Sequence, residues 1–180
     1  MSAVHATTLP GVLRVELDVH GDSRGWFKES YQAAKLTELG LPRMDVVQNN
    51  VSFNAKAGVT RGIHAEPWDK YVSPAHGRVF CAIVDLRAGD GFGAVETFEL
   101  GTADGLYVPR GLGNSFCTLA PDTVYNYLVT DHWSPESSYT FVNLFDPTLA
   151  IDWPVAREEM VLSDKDLEHP LLADVVPVRP

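Results

Sequence analysis

The chain has 180 residues, enough for one domain with a substantial core. Its 14 Lys and Arg against 24 Asp and Glu give a formal net charge of −10, which argues against binding to nucleic acid or an anionic membrane, since both need a basic face. The hydrophobic share of 45% is that of an ordinary globular protein, and no apolar run approaches membrane-spanning length.

The N-terminal residues Met1 to Ala6 lack the charged-then-apolar order of a secretion signal. Leu13, Val15, Leu17 and Val19 alternate with Arg14, Glu16, Asp18 and His20, which predicts a half-buried strand. Ser30 is a helix-capping residue ahead of a helix expected over Gln32–Leu39, and Gly40 stops it. Val79–Leu86 is apolar on both faces, as in a central strand. Further strands are expected at Val95–Leu100, Leu106–Val108, Phe116–Leu119, Thr123–Thr130 and Tyr139–Asn143. Turn formers such as Gly89-Asp90-Gly91 and Pro109-Arg110-Gly111 separate them. A second, short helix is expected from Ser163, and the three-proline segment Pro170–Pro180 is expected to run as an extended surface tail. Short strands at regular spacing predict an all-β sandwich or barrel, one domain over 1–180. Cys81 and Cys117 sit in apolar segments without metal-ligand spacing and read as buried, reduced thiols of a cytoplasmic protein.

The stretch from Arg61 to Lys70 holds the densest chemistry. Arg61 is suited to phosphate, His64 to general base catalysis, and Glu66 and Lys70 add a carboxylate and an ammonium. Arg61 lies three residues before His64, on the opposite side of an ideal strand, so a bulge is needed for both to face one pocket. Gly58 and Gly62 permit one. Asp166 reads in two ways, as part of the Ser163-Asp164-Lys165-Asp166 helix cap or as a carboxylate that orients His64. Tyr127, on the stripe Tyr125-Tyr127-Val129, is either packing or a proton donor. His64, Glu66 and His76 offer a second reading, a metal-dependent β-barrel with two imidazoles and a carboxylate.

The ordered set of motifs resembles one family. It comprises Asp22-Ser23-Arg24-Gly25-Trp26-Phe27-Lys28-Glu29, Gln48-Asn49-Asn50-Val51-Ser52, Gly58-Val59-Thr60-Arg61-Gly62-Ile63-His64, Lys70, Val84-Asp85-Leu86-Arg87, Val108-Pro109-Arg110-Gly111, Tyr127, Asp146-Pro147-Thr148-Leu149 and Leu162-Ser163-Asp164-Lys165-Asp166. Together they are similar to the dTDP-4-dehydrorhamnose 3,5-epimerases from about residue 10 to 170. The resemblance implies a cupin-type jelly-roll β-sandwich with a few short helices. It also implies a homodimer with exchanged N-terminal strands and no metal or other cofactor. The implied substrate is a nucleoside-diphosphate 4-keto-6-deoxyhexose, dTDP-linked first of all. Carried over residue by residue, it makes His64 the base, Asp166 its partner, Tyr127 the acid and Lys70 the stabiliser of enolate charge. Arg61 would bind the diphosphate with Asn50 and Ser52 nearby, and Gln48 would contact the base or sugar. Arg24, Phe27 and Glu29 would reach the nucleotide, in the neighbouring protomer's site.

The chain departs from the common pattern at Asn114, near which the family carries a His-Gly-Phe, and at Trp133, which stands where a tyrosine often stacks on the base. The loop between His64 and Lys70 is short and holds Glu66. Inversion at one carbon only, or nucleotide-sugar binding without turnover, are the alternatives that keep the same pocket.

Overall fold

The structure, a computed structural model, describes residues 1–179. Its elements are β1 (Ala3–Ala6), β2 (Leu13–Glu16), β3 (Val19–Asp22), β4 (Gly25–Lys28), α1 (Ala33–Glu38), β5 (Gln48–Asn54), β6 (Thr60–Ala65), β7 (Lys70–Val72), β8 (Val79–Asp85), β9 (Val95–Leu100), β10 (Asp104–Val108), β11 (Leu112–Thr118), β12 (Thr123–Val129), β13 (Thr140–Phe141) and α2 (Asp164–Leu167). A six-stranded sheet runs β1-β2-β10-β7-β12-β5 and a five-stranded sheet runs β13-β6-β11-β8-β9. β3 and β4 form a separate hairpin. Every named strand pairing is antiparallel, and the two sheets face each other as the expected jelly-roll sandwich. β1 pairs with β2 of its own chain.

Three apolar layers explain the strand patterns. Between the sheets lie Val72, Leu106, Val108 and Tyr125 from one and Cys81, Ile83, Leu100, Leu112 and Phe116 from the other. Outside the five-stranded sheet, Ile63, Ala65, Val84 and Leu86 are covered by the C-terminal segment through Val142, Leu144, Leu149 and Leu172. Outside the six-stranded sheet, Val15, Tyr71 and Tyr107 are covered by Leu36 of α1 with Leu41 and Met44. β8 therefore has apolar side chains on both faces because both faces are buried.

Several boundaries differ from the sequence expectation. The strand read through Val19 stops at Glu16, since Leu17 N–H bonds the Ala103 carbonyl at 2.8 Å and Asp18 turns out to accept the Ser2 N–H at 3.0 Å. α1 is capped by Gln32, whose side chain accepts the Lys35 N–H at 2.6 Å, and not by Ser30; Gly40 follows with φ +104°. β11 begins at Leu112, four residues before the expected Phe116, because Gly113, Asn114 and Ser115 interrupt the apolar pattern. The expected strand Tyr139–Asn143 shrinks to Thr140–Phe141. The tail contains a 3-10 turn at Leu172–Asp174, and Leu172 is buried with its N–H bonded to Asp146 Oδ2 at 2.6 Å. Beyond that turn Val178 bridges to Arg87, and Pro180 lies outside the described residues. Cys81 and Cys117 are buried free thiols.

Candidate active site

The site is built on a bulge. Asn114 lies opposite His64 and Phe116 opposite Arg61, so three steps along β6 match two along β11. The extra residue turns Arg61 and His64 to the same side, as the spacing required. Gly62 makes this possible: its φ is +126°, and an added Cβ would lie 2.7 Å from Ser115 Cα and 2.9 Å from the Asn114 carbonyl oxygen.

One cavity of about 260 Å³ is lined by Ser52, Arg61, His64, Glu66, Lys70, Asn114, Phe116, Tyr125 and Tyr127. Arg61, His64, Asn114 and Phe116 come from the five-stranded sheet; Ser52, Lys70, Tyr125 and Tyr127 come from the six-stranded one. The cavity thus sits between the sheets. Arg61 and His64 also line a second, open cleft of about 600 Å³ with Phe141, Ser163, Lys165, Asp166, Glu168, His169 and Pro170.

His64 Nε2 is 3.0 Å from Asp166 Oδ1. Asp166 is buried at the start of α2, where it takes part in the helix cap and also lies against His64. Ser163 caps α2 by accepting the Asp166 N–H at 3.2 Å, and the Ser163 hydroxyl donates to Asp166 Oδ2 at 2.9 Å. Burial pulls the Asp166 carboxyl upward, but the bonds from His64 and Ser163 outweigh it and leave its pKa below the usual carboxylate value. An ionised carboxylate only accepts, so His64 Nε2 donates to it, which in a neutral ring leaves the lone pair on Nδ1. The edge of Phe141 packs against the imidazole, with ring centroids 5.3 Å apart.

Across the cavity, burial first and the Glu66 carboxylate second raise the Tyr127 phenol above its ordinary pKa. Lys70 Nζ lies 5.7 Å from the centre of the Tyr127 ring and is ion-paired with Glu66. The Lys70 side chain is 6% exposed and that of Glu66 11%. Glu66 therefore faces Lys70 and not a metal triad with His76, which is exposed and bridges to Val124.

Asn114 is buried and donates from Nδ2 to the Tyr125 hydroxyl oxygen at 3.2 Å. Along β5, Gln48, Asn50 and Ser52 share the half-buried face. Gln48 Nε2 donates to Asn50 Oδ1 at 2.8 Å, and Gln48 Oε1 accepts the Trp133 N–H at 3.0 Å. Trp133, whose backbone makes this bond, is 61% exposed. Arg24, Phe27 and Glu29 do not join the cavity. Arg24 pairs with Asp22 at 2.6 Å, Phe27 is exposed, and Glu29 pairs with Lys35 at 3.2 Å. Lys28 ties this hairpin down by donating to Ser73 Oγ, the Pro74 carbonyl and the Thr102 carbonyl at 2.7, 2.8 and 2.9 Å.

Sequence reasoning missed three side chains here. Phe141 and His169 flank His64, and Tyr125 orients Asn114. Phe141 and Tyr125 carried only a packing signal, and His169 lies in a polar stretch with no periodicity.

Among the described residues no helix is long and apolar enough to cross a membrane. Residues 6–174 match the sequence profile described as dTDP-4-dehydrorhamnose 3,5-epimerase. The chain is 45% identical to the protein RmlC homolog of Streptococcus pyogenes serotype M6, over 96% of this chain and 90% of that one. It superposes on RmlC of Streptococcus suis, solved in complex with dTDP-D-xylose, with a TM-score of 0.95 and 43% identity, covering 99% of this chain and 95% of that one. The epimerase RmlC of Legionella pneumophila, solved with dTDP-4-keto-L-rhamnose, superposes with a TM-score of 0.87 at 33% identity, over 96% and 94% of the two chains. With its fold, its motifs in order and its cavity in place, the chain belongs to the dTDP-4-dehydrorhamnose 3,5-epimerase family.

Proposed function

We propose that this chain epimerises carbons 3 and 5 of a dTDP-linked 4-keto-6-deoxyhexose in deoxysugar biosynthesis. The observation that carries the reading is the placement of His64 and Tyr127 on opposing sheets around one cavity. Inversion needs a proton removed from one face of the ring and returned to the other. A ring held between the sheets meets the imidazole on one side and the phenol on the other.

The substrate's ketone acidifies the C–H bonds on both neighbouring carbons. His64 Nδ1 accepts the proton, and Asp166 stabilises the resulting imidazolium. Negative charge then moves to the carbonyl oxygen, where the Lys70 ammonium stabilises it in a water-poor pocket. Tyr127, kept protonated by its raised pKa, returns a proton to the opposite face. Arg61, at the junction of cavity and cleft, holds the diphosphate, with Asn50 and Ser52 beside it. Gln48 and Trp133 take the nucleoside base, the indole by stacking.

The active form is a homodimer in which Arg24, Phe27 and Glu29 complete the partner's nucleotide site. Two features support this: these side chains stand away from their own cavity, and the edge strand β5 exposes Val51 and Phe53 at 63% and 62%. The buried free thiols are in keeping with a reducing compartment, the cytoplasm.

Incubation with dTDP-4-keto-6-deoxyglucose in heavy water tests the reaction. Deuterium at carbons 3 and 5 with inversion at both is expected. Inversion at one carbon would replace the reading with a single-site epimerase, and absence of exchange would sink it.

A further inference from the structure

We propose that His64, Asp166 and His169 form a binding site for a zinc-class divalent cation, and that filling it switches the epimerase off. One imidazole or carboxylate atom from each residue lies within 4.8 Å of the other two. Two imidazole nitrogens and one carboxylate oxygen suit zinc, cobalt or nickel better than magnesium or calcium.

The surroundings are built to hold the donors. Ser163 fixes Asp166 Oδ2, which leaves Oδ1 directed at His64. Phe141 stacks on the His169 ring at 4.7 Å and packs edge-on to His64 at 5.3 Å, so one aromatic side chain orients both imidazoles. His169 Nδ1 is buried without a hydrogen-bond partner. The backbone at Gly62 and Val142 also lies against the His169 ring, and the proposed epimerase reaction assigns no step to it. The open cleft beside the cluster offers a route in and room for water as a fourth ligand. Zinc–nitrogen bonds of about 2.0–2.1 Å require donors about 3.3–3.5 Å apart. His64 and Asp166 already approach at 3.0 Å, so the adjustment falls on His169. Lys165 and Arg61 line the same cleft and repel a cation, while Glu168 on the same lining attracts one.

The inhibition follows from the tautomer. A metal on His64 Nε2 displaces the proton shared with Asp166, and the neutral ring then carries its proton on Nδ1. That is the atom whose lone pair takes the substrate proton, so the base is lost without any change in fold. The inhibitory half of this inference rests on the epimerase reading; the binding half does not.

The test uses chelator-stripped full-length protein, titrated with Co2+ by visible absorption and with Zn2+ by calorimetry and in the epimerase assay. One metal per chain is expected, with a d–d spectrum of low coordination number and loss of turnover over the same zinc range. His169→Phe keeps the stacking on Phe141 and is expected to raise the half-saturating and half-inhibiting concentrations by at least about tenfold, each read against that variant's own metal-free turnover. His169→Gln serves as the second variant if the phenylalanine one does not fold. Absence of a cobalt spectrum in the wild type at millimolar metal would overturn the site, as would unchanged half-saturation in a folded variant. Metal binding as described in a protein that turns over no nucleotide 4-keto sugar would support the site and sink the epimerase reading.

Discussion

Ser163 grips Asp166 twice. Its Oγ accepts the Asp166 N–H at 3.2 Å and its hydroxyl donates to Asp166 Oδ2 at 2.9 Å, while the other carboxylate oxygen faces His64. The cap of α2 and the orientation of Asp166 toward His64 therefore depend on one hydroxyl. Ser163→Ala is expected to cost about 1 kcal/mol of stability through the lost cap and to lower kcat. Asp166→Asn is expected to lower kcat by roughly 10²–10⁴-fold, since His64 loses its charged partner. Urea unfolding and steady-state rates on both variants separate the two effects. A Ser163→Ala enzyme of full activity would show that Asp166 does not need its cap.

In the proposed reaction Tyr127 acts on the second half. Tyr127→Phe is expected to retain solvent-deuterium exchange at the acidic carbons while net inversion falls, read by NMR of the sugar. The phenol's raised pKa also fixes a sign. The protonated form persists above about pH 10, where a free tyrosine ionises, so the alkaline fall in rate comes later than for an unperturbed phenol. The same shift contributes stability that is fully present below about pH 10 and is lost as pH rises through the raised value. Tyr127→Phe should remove that alkaline loss.

Lys70 and Glu66 make a buried pair, of which only Lys70 has a role in the proposed reaction. Lys70→Met leaves the Glu66 carboxylate unpartnered and is expected to destabilise by about 3–5 kcal/mol. Lys70→Met combined with Glu66→Gln should recover most of that stability and none of the activity. Thermal denaturation and turnover of the double variant check this. Recovered activity would remove Lys70 from the mechanism.

The trans contribution of the β3–β4 hairpin is tested by complementation. Arg24→Ala and His64→Ala are each expected to be impaired alone. Mixed after dissociation and reassociation, they should regain about a quarter of wild-type activity, since half the dimers would carry one intact site. No gain on mixing would place Arg24 outside the partner's site.

Gly62 is the residue on which the bulge depends. Gly62→Ala meets Ser115 and the Asn114 carbonyl and adopts a positive φ that alanine resists. A loss of at least about 2 kcal/mol is expected, with kcat falling in the residual folded protein because Arg61 and His64 lose their common face. Chemical denaturation and kinetics report the two losses.

The legible parts of the sequence were those governed by one rule at a time. β8 announced itself because burial on both faces leaves an uninterrupted apolar run. The bulge at Gly62 followed from spacing, since Arg61 and His64 had to share a side. β5 was harder to see: its inward residues Gln48, Asn50 and Ser52 are polar and its outward Val51 and Phe53 are apolar, the reverse of a core strand. The cap of α1 went to Gln32 because Ser30 lies too early for its hydroxyl to serve the first helical N–H groups. His169 reaches His64 only because the chain turns after α2, and no local pattern reports that turn. Asp166 was legible as a cap or as a base partner; only three-dimensional placement lets one side chain contact Ser163 and His64 together.

Phe116 and Tyr125 stack across the gap between the two sheets with centroids 4.0 Å apart, one from β11 and the other from β12. His64 pairs alongside β11, and Tyr127 follows Tyr125 on β12. In the proposed reaction the stacked rings are a calliper, setting the width of the jaws that would hold the sugar. Trimming either ring would alter the reach of base and acid together, and a substitution with no contact to the reacting carbons would be felt in the rate of proton transfer.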